Sequence, residues 1–208
     1  MASYTAIAGV GNTLVSLLID RMDGYVDADE IALGSPGSEG VDDDFRLLVY
    51  LYDVRQNEHL SNDRARSTAA GRPGGAALVL DLHYMLAALP KANKPTEELT
   101  TTSTEQHNVL GRAMQVLEDH AIVRRPDLDD AFDRTETITI TMESRSQSTL
   151  LDVWGTFPEA PYQPSISYVV SPVVIDSRRS TEDQRVVDAT FEEYTYAPVR
   201  EVGEEVRP

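Results

Sequence analysis

The sequence predicts an α/β or α+β fold, a mixed β-sheet with helices packed on its faces. Three observations predict it. Apolar residues recur three and four apart in two separate stretches, the signature of amphipathic helices. Three strand-like runs, Phe45 to Val54, Ala76 to Leu86 and Ser165 to about Ile175, carry apolar side chains on both faces, which places them inside a covered sheet. A fourth run, Thr135 to Met142, alternates strictly, as a half-exposed strand does.

Taken in order, residues 4 to 22 set Ile7, Val10, Leu14, Leu17, Leu18 and Met22 on one helical face. Gly9 and Gly11 interrupt that helix at a cost of about 1 kcal/mol each relative to alanine, so packing must hold it. Residues 23 to 44 are acidic and turn-rich, with a short strand at Ile31 to Leu33 and an exposed loop from Gly34 to Asp44. Their carboxylates miss the spacing of a calcium loop. Beyond the strand at 45–54, a polar, glycine-rich loop runs to Gly75, and the strand at 76–86 follows. Its Leu78, Leu80, Leu82 and Tyr84 share one face, and Val79, Asp81, His83 and Met85 the other.

After a proline-bounded linker, Thr102 or Ser103 is expected to cap a helix, with Glu105 and Gln106 completing a capping box. Val109, Leu110, Ala113, Met114 and Leu117 form its buried stripe. Arg124 to Asp133 reads as a loop. The alternating strand near the sheet edge then turns Ile138, Ile140 and Met142 inward. A short helix carries Leu150, Leu151 and the only tryptophan, Trp154, the natural lid over one face of the last strand. Along that strand Ile166, Tyr168 and Val170 point one way and Val169, Val173 and Ile175 the other. Pro172 cannot donate a ladder hydrogen bond, so the strand must bend, bulge or become an edge there, and its second half is free to leave the body. Trp154, Ile166, Tyr168, Leu110 and Leu117 are the core candidates.

The domain spans residues 1–177, and a body of about 150 residues buries roughly 70% of its unfolded surface. Residues 178–208 change character and form an acidic C-terminal arm. Within it Arg185, Val186, Val187, Phe191, Tyr194 and Tyr196 have strand-like patterning but too little apolar area to bury alone. A hairpin return onto its own sheet and a strand donated to a neighbouring subunit fit that pattern equally.

Charge excludes more than it assigns. The net charge is −17, from 35 acidic and 18 basic residues. Such a surface repels nucleic acid, and its self-repulsion is tolerable where salt screens it, the Debye length being about 3 Å at ~1 M. With only two lysines, Lys91 and Lys94, this points to a salt-loving host. The absence of cysteine removes disulfides and thiolate metal sites. No apolar run approaches the ~20 residues that span a bilayer. The N-terminus lacks the basic start of a secretory signal, so synthesis in the cytoplasm is expected.

Catalytic motifs are missing as well. Gly9-Val10-Gly11 meets Leu14 where a third dinucleotide-site glycine would stand, and the glycines at 71–75 lack the lysine of a phosphate loop. Asp81 and His83 are the one acid–base pair that alternation brings to a common face. No motif sets a serine or cysteine nucleophile beside them, so a hydrogen-bonded structural pair is the expectation and a small hydrolase the alternative. No cofactor or metal ligand set is expected.

Several segments together resemble the cap, or tail-terminator, proteins of contractile injection systems of the antifeeding-prophage type. They are Ile7-Ala8-Gly9-Val10 with Leu14 to Leu18, Leu51 to Asn57, the Leu80 to Met85 run, Leu110 to Leu117, and above all Trp154 with Pro164 to Ile175. The resemblance covers roughly residues 4–176 and thins at 23–44 and past Ser177. It implies a tail-terminator-like domain and no enzyme. It also implies a structural cap on tube and sheath, assembled as a six-fold ring in a phage-tail-like particle of the kind released from the cell. The partners would be the protein itself and the sheath and inner-tube proteins, with no nucleic acid and no membrane. Another sheath- or baseplate-associated adaptor of the same particle is the alternative.

Overall fold

Strands that bury both faces need cover on both sides, and helices of this chain supply it. The computed structural model describes residues 4–37, 45–60, 77–90, 99–132, 136–144 and 147–176. Among them the elements are, in order, α1 (Ala6–Met22), a 3-10 turn (Ala28–Glu30), β1 (Ile31–Leu33), β2 (Leu47–Gln56), β3 (Leu78–Ala88) and α2 (Leu99–Asp119). Then come β4 (Ile122–Arg124), β5 (Thr137–Glu143), α3 (Gln147–Gly155) and β6 (Ser165–Ile175). The sheet runs β1-β2-β3-β6-β5-β4. β1 is parallel to β2, and every other pairing is antiparallel. This is the mixed, helix-flanked sheet that the sequence predicts. The long strands lie at its centre, and both outermost strands are three residues long.

α1 and α2 cover the first face. Val10, Leu14, Leu17, Leu18 and Met22 of α1 pack with Leu47 and Val49 of β2, Leu82, Tyr84 and Leu86 of β3, and Tyr168 and Val170 of β6. Fully burying each such aliphatic chain is worth about 1.5–3 kcal/mol. From α2 the buried set is Val109, Ala113, Val116 and Leu117; Leu110 and Met114 are only half-buried.

The expected capping box is absent. α2 begins at Leu99, so Thr102 and Ser103 lie within it. The two residues that would complete the box are engaged elsewhere. Glu105 lies 3.8 Å from the Arg46 guanidinium, and the buried Gln106 donates through Nε2 to Ala88 O (2.6 Å) and Gln163 Oε1 (2.8 Å). The two tertiary hydrogen bonds of Gln106 outweigh a local cap. The short β4 overlaps the expected loop at Arg124 and has no counterpart in the sequence reading. Three residues are too few to show a period.

The glycines of α1 are there for close approach. A Cβ on Gly9 would stand 2.8 Å from Ala131 Cβ and 3.1 Å from the Phe132 ring. One on Gly11 would meet Leu33 Cδ2 at 2.7 Å, but Leu33 is half-exposed and free to swing. The adjoining loop is tied to the same helix, Asp129 N donating to Thr13 Oγ1 (3.0 Å). Gly9→Ala should therefore be destabilising, because overpacking costs about 1–3 kcal/mol against roughly 1 kcal/mol of helix propensity gained. Gly11→Ala should be neutral or better. Urea unfolding of the two variants side by side checks the contrast, and equal midpoints would refute it.

α3 covers part of the second face. Trp154, 5% exposed, lies on Leu48, Met85, Ala87 and Leu89, and its Nε1–H donates to Ser165 Oγ (3.0 Å). Tyr162 meets the indole edge-on at 5.7 Å. The tryptophan is the lid that its position implied.

β6 corrects the sequence reading at its far end. Leu82 pairs with Val170, but Leu80 pairs with Val173, so β6 carries one extra residue opposite Asp81. This bulge, at Ser171 and the cis-linked Pro172, shifts the alternation by one. Val173 therefore joins Val170 on the α1/α2 face, fully buried, instead of sharing a face with Val169. The second half of the strand stays on the body, paired with β3 through Val79↔Val174 and Leu78↔Ile175. Met142 is the other exception. It faces the same side as Tyr168 but lies at the end of β5 and is 47% exposed, beyond the helical cover.

Candidate functional site

Sheet register converts scattered side chains into rows across the second face. The rows Leu48–Ala87–Ser165 and Tyr50–Met85–Ser167–Glu143 lie at the end that α3 covers. Next come Asp53–His83–Val169–Thr141 and then Arg55–Asp81–Ser171–Thr139. The face thus changes from apolar to polar along its length. A bulge in β2 at Tyr52 and Asp53 keeps the polar residues in step with their neighbours.

The polar half opens into a depression lined by Arg55, Gln56, Glu58, His59, Asp81, His83 and Glu143. Two hydrogen-bonded groups form its floor. In one, Glu143 Oε2 lies 3.0 Å from His83 Nδ1 and accepts from Ser167 Oγ at 3.1 Å; Tyr52 OH stands 2.7 Å from the same serine. In the other, Asp81 Oδ1 accepts from Asn57 Nδ2 at 2.9 Å and from the Ser171 hydroxyl. Asn57 in turn accepts from Leu60 N at 2.9 Å through Oδ1. Arg55 is turned to Asp53, Nε to Oδ2 at 2.7 Å.

Asp81 and His83 do share this face, yet each has its own partners. The pair expected to bond together is split between two groups. Ser167 donates to a carboxylate and not to the imidazole, whereas activating a serine nucleophile needs the imidazole to accept its proton. The arrangement secures neighbouring strands to one another. Among the described residues no set of three or more His, Cys, Asp or Glu side chains is placed to hold a metal ion. No helix among them is long and apolar enough to cross a membrane.

Asn57, Glu143, Ser167 and Ser171 were missed from the sequence. The available signal was serine at 165, 167 and 171, two and four residues apart on one side of an otherwise apolar strand. Of the core candidates, Trp154, Tyr168 and Leu117 are buried, and Ile166 and Leu110 are half-buried against the core. Arg185, Val186, Val187, Phe191, Tyr194 and Tyr196 lie outside the described residues, as does the boundary drawn at 177.

A fold of two helices on one side of a six-stranded mixed sheet and one on the other is shared with terminators of contractile tails. The cryo-EM structure of the sheath/tube terminator of an extracellular contractile injection system, PVC, in its extended state is similar over 91% of this chain and 64% of that one. The identity is 13% and the TM-score 0.51. The anti-feeding prophage cap, described as a tube terminating cap, is similar over 88% of this chain and 60% of that one, with 16% identity and a TM-score of 0.53. The chain thus spans under two thirds of the length of either. A family model, the Pvc16 N-terminal domain, matches residues 9–189, and the chain belongs to that family. No curated protein matches it.

Proposed function

We propose that this protein is a structural terminator, the cap that closes the distal end of the tube and sheath of a contractile injection particle and so limits its length. What carries the reading is membership of the Pvc16 N-terminal domain family across residues 9–189. It works as a closed ring of six copies, since cyclic symmetry satisfies lateral contacts without leaving a growing end. It catalyses nothing and binds no cofactor, nucleic acid or membrane. Made in the cytoplasm, it leaves with the particle.

Its partners are further copies of itself and the sheath and inner-tube proteins. Residues Arg185, Val186, Val187, Phe191, Tyr194 and Tyr196 of the arm supply main-chain hydrogen bonds to a neighbour's open strand edge. Ring formation requires salt, because 35 carboxylates must be screened. Electron microscopy of particles made without the protein tests the role: sheaths of uncontrolled length are expected, and missing baseplates would mean an adaptor instead. Removal of residues 180–208 should leave a folded body that no longer joins particles. Normal incorporation of that truncation would overturn the arm's part.

A further inference from the structure

The end of β6 is held differently from its middle. Residues 167–170 are paired on both sides, with β3 and with β5, the last β5 pair being Thr139↔Ser171. Past the bulge its one strand partner among the described residues is β3, through three pairs, Leu80↔Val173, Val79↔Val174 and Leu78↔Ile175, and Val173 and Val174 are also buried in the main apolar cluster. At the junction stands a polar cluster in place of a covering helix. The Ser171 hydroxyl donates to Asp81 Oδ1, Asn57 Nδ2 donates to the same oxygen at 2.9 Å and lies 3.4 Å from Ser171 Oγ. The Asn57 backbone N–H donates to Val79 O at 2.9 Å, so the cluster joins β2, β3 and β6 at one point.

We propose that residues 172–175 are a latched terminal strand, and that the Asp81–Ser171–Asn57 cluster is its latch. A bulge uncouples a strand end from the ladder before it, so the three pairs beyond can part from β3 while the rest of β6 stays between its two neighbours. The latch lies on the open face beside the depression, and Asp81 lines that depression, so a group from outside can compete for its carboxylate; the buried Val173 and Val174 set the cost of opening. With the latch open, the four freed residues add about 13 Å of reach at roughly 3.3 Å each. The use of that reach rests on the docking role proposed for the arm.

Hydrogen exchange on the full chain tests the latch. In Asp81→Asn the amides of Val173 and Ile175, opposite Leu80 and Leu78, are expected to exchange at least tenfold faster, with α1, β2 and residues 166–170 unchanged. Ser171→Ala removes one latch bond and should accelerate the same amides alone. Exchange at Val173 and Ile175 that stays unchanged in both variants overturns the proposal. So does acceleration spread evenly over the domain in both, which would make the cluster an ordinary contributor to global stability. The 180–208 truncation addresses the arm separately, since its failure to lose incorporation leaves the exchange result standing.

Discussion

Trp154→Ala is expected to lower the free energy of unfolding by about 3–5 kcal/mol, the range for emptying a buried aromatic site. The indole is 5% exposed and is the centre of the smaller apolar cluster, with Leu48, Met85, Ala87 and Leu89 beneath it. Its Nε1–H bond to Ser165 is lost in the same change. α3 is only nine residues long, too short to persist without that anchor. Leu151→Ala, on the same helix but 46% exposed, provides the contrast and should change stability by less than about 1 kcal/mol. Urea unfolding at fixed high salt measures both. A loss below about 1 kcal/mol for Trp154→Ala would mean that α3 does not hold the second face.

The second large effect lies on the alkaline side of neutrality. Burial raises the phenol pKa of Tyr84 well above its usual value. Burial, and then the negative charge of Glu118, push that of Tyr168 up to about 12. Both rings sit among α1, α2 and the sheet, with Tyr84 OH 3.5 Å from Ile7 O. In the unfolded chain these tyrosines lose their protons near pH 10. Between pH 10 and 12 the unfolded state therefore binds fewer protons than the folded one, and stability must fall as pH rises. The contribution is intact below pH 10 and disappears as the folded pKa is approached. Each tyrosine adds a slope of about 1.4 kcal/mol per pH unit. Unfolding titrations from pH 9 to 12 should show this decline, and Tyr168→Phe should remove about half of it. An unchanged slope in Tyr168→Phe would show that its hydroxyl is not shielded as described.

The central strands and the tryptophan were legible because each is encoded within one short stretch. Ser165–Ile175 and the lid over it follow from local apolar patterning alone. Pro172 announced a discontinuity, but not its form. Whether a strand bends, bulges or ends depends on what stands opposite, here Asp81 on a strand some ninety residues earlier in the chain. The face of Val173 was misassigned for that reason. The capping box failed because the helix already runs from Leu99, upstream of Thr102 and Ser103, and Gln106 is drawn to Ala88 and Gln163, distant in the chain. The polar floor is distributed over four strands, and register alone assembles Asn57, Asp81, His83, Glu143, Ser167 and Ser171. Sequence could offer the Asp81/His83 alternation and little more.

Among the described residues, both margins of the sheet are stubs. β1 and β4 have three residues each, whereas the inner strands β2, β3 and β6 have ten or eleven. A stray extended chain that tried to register on either margin would find only a few backbone groups, too few to template further growth. Copies crowded together can thus resist fusing into fibres while they wait for assembly.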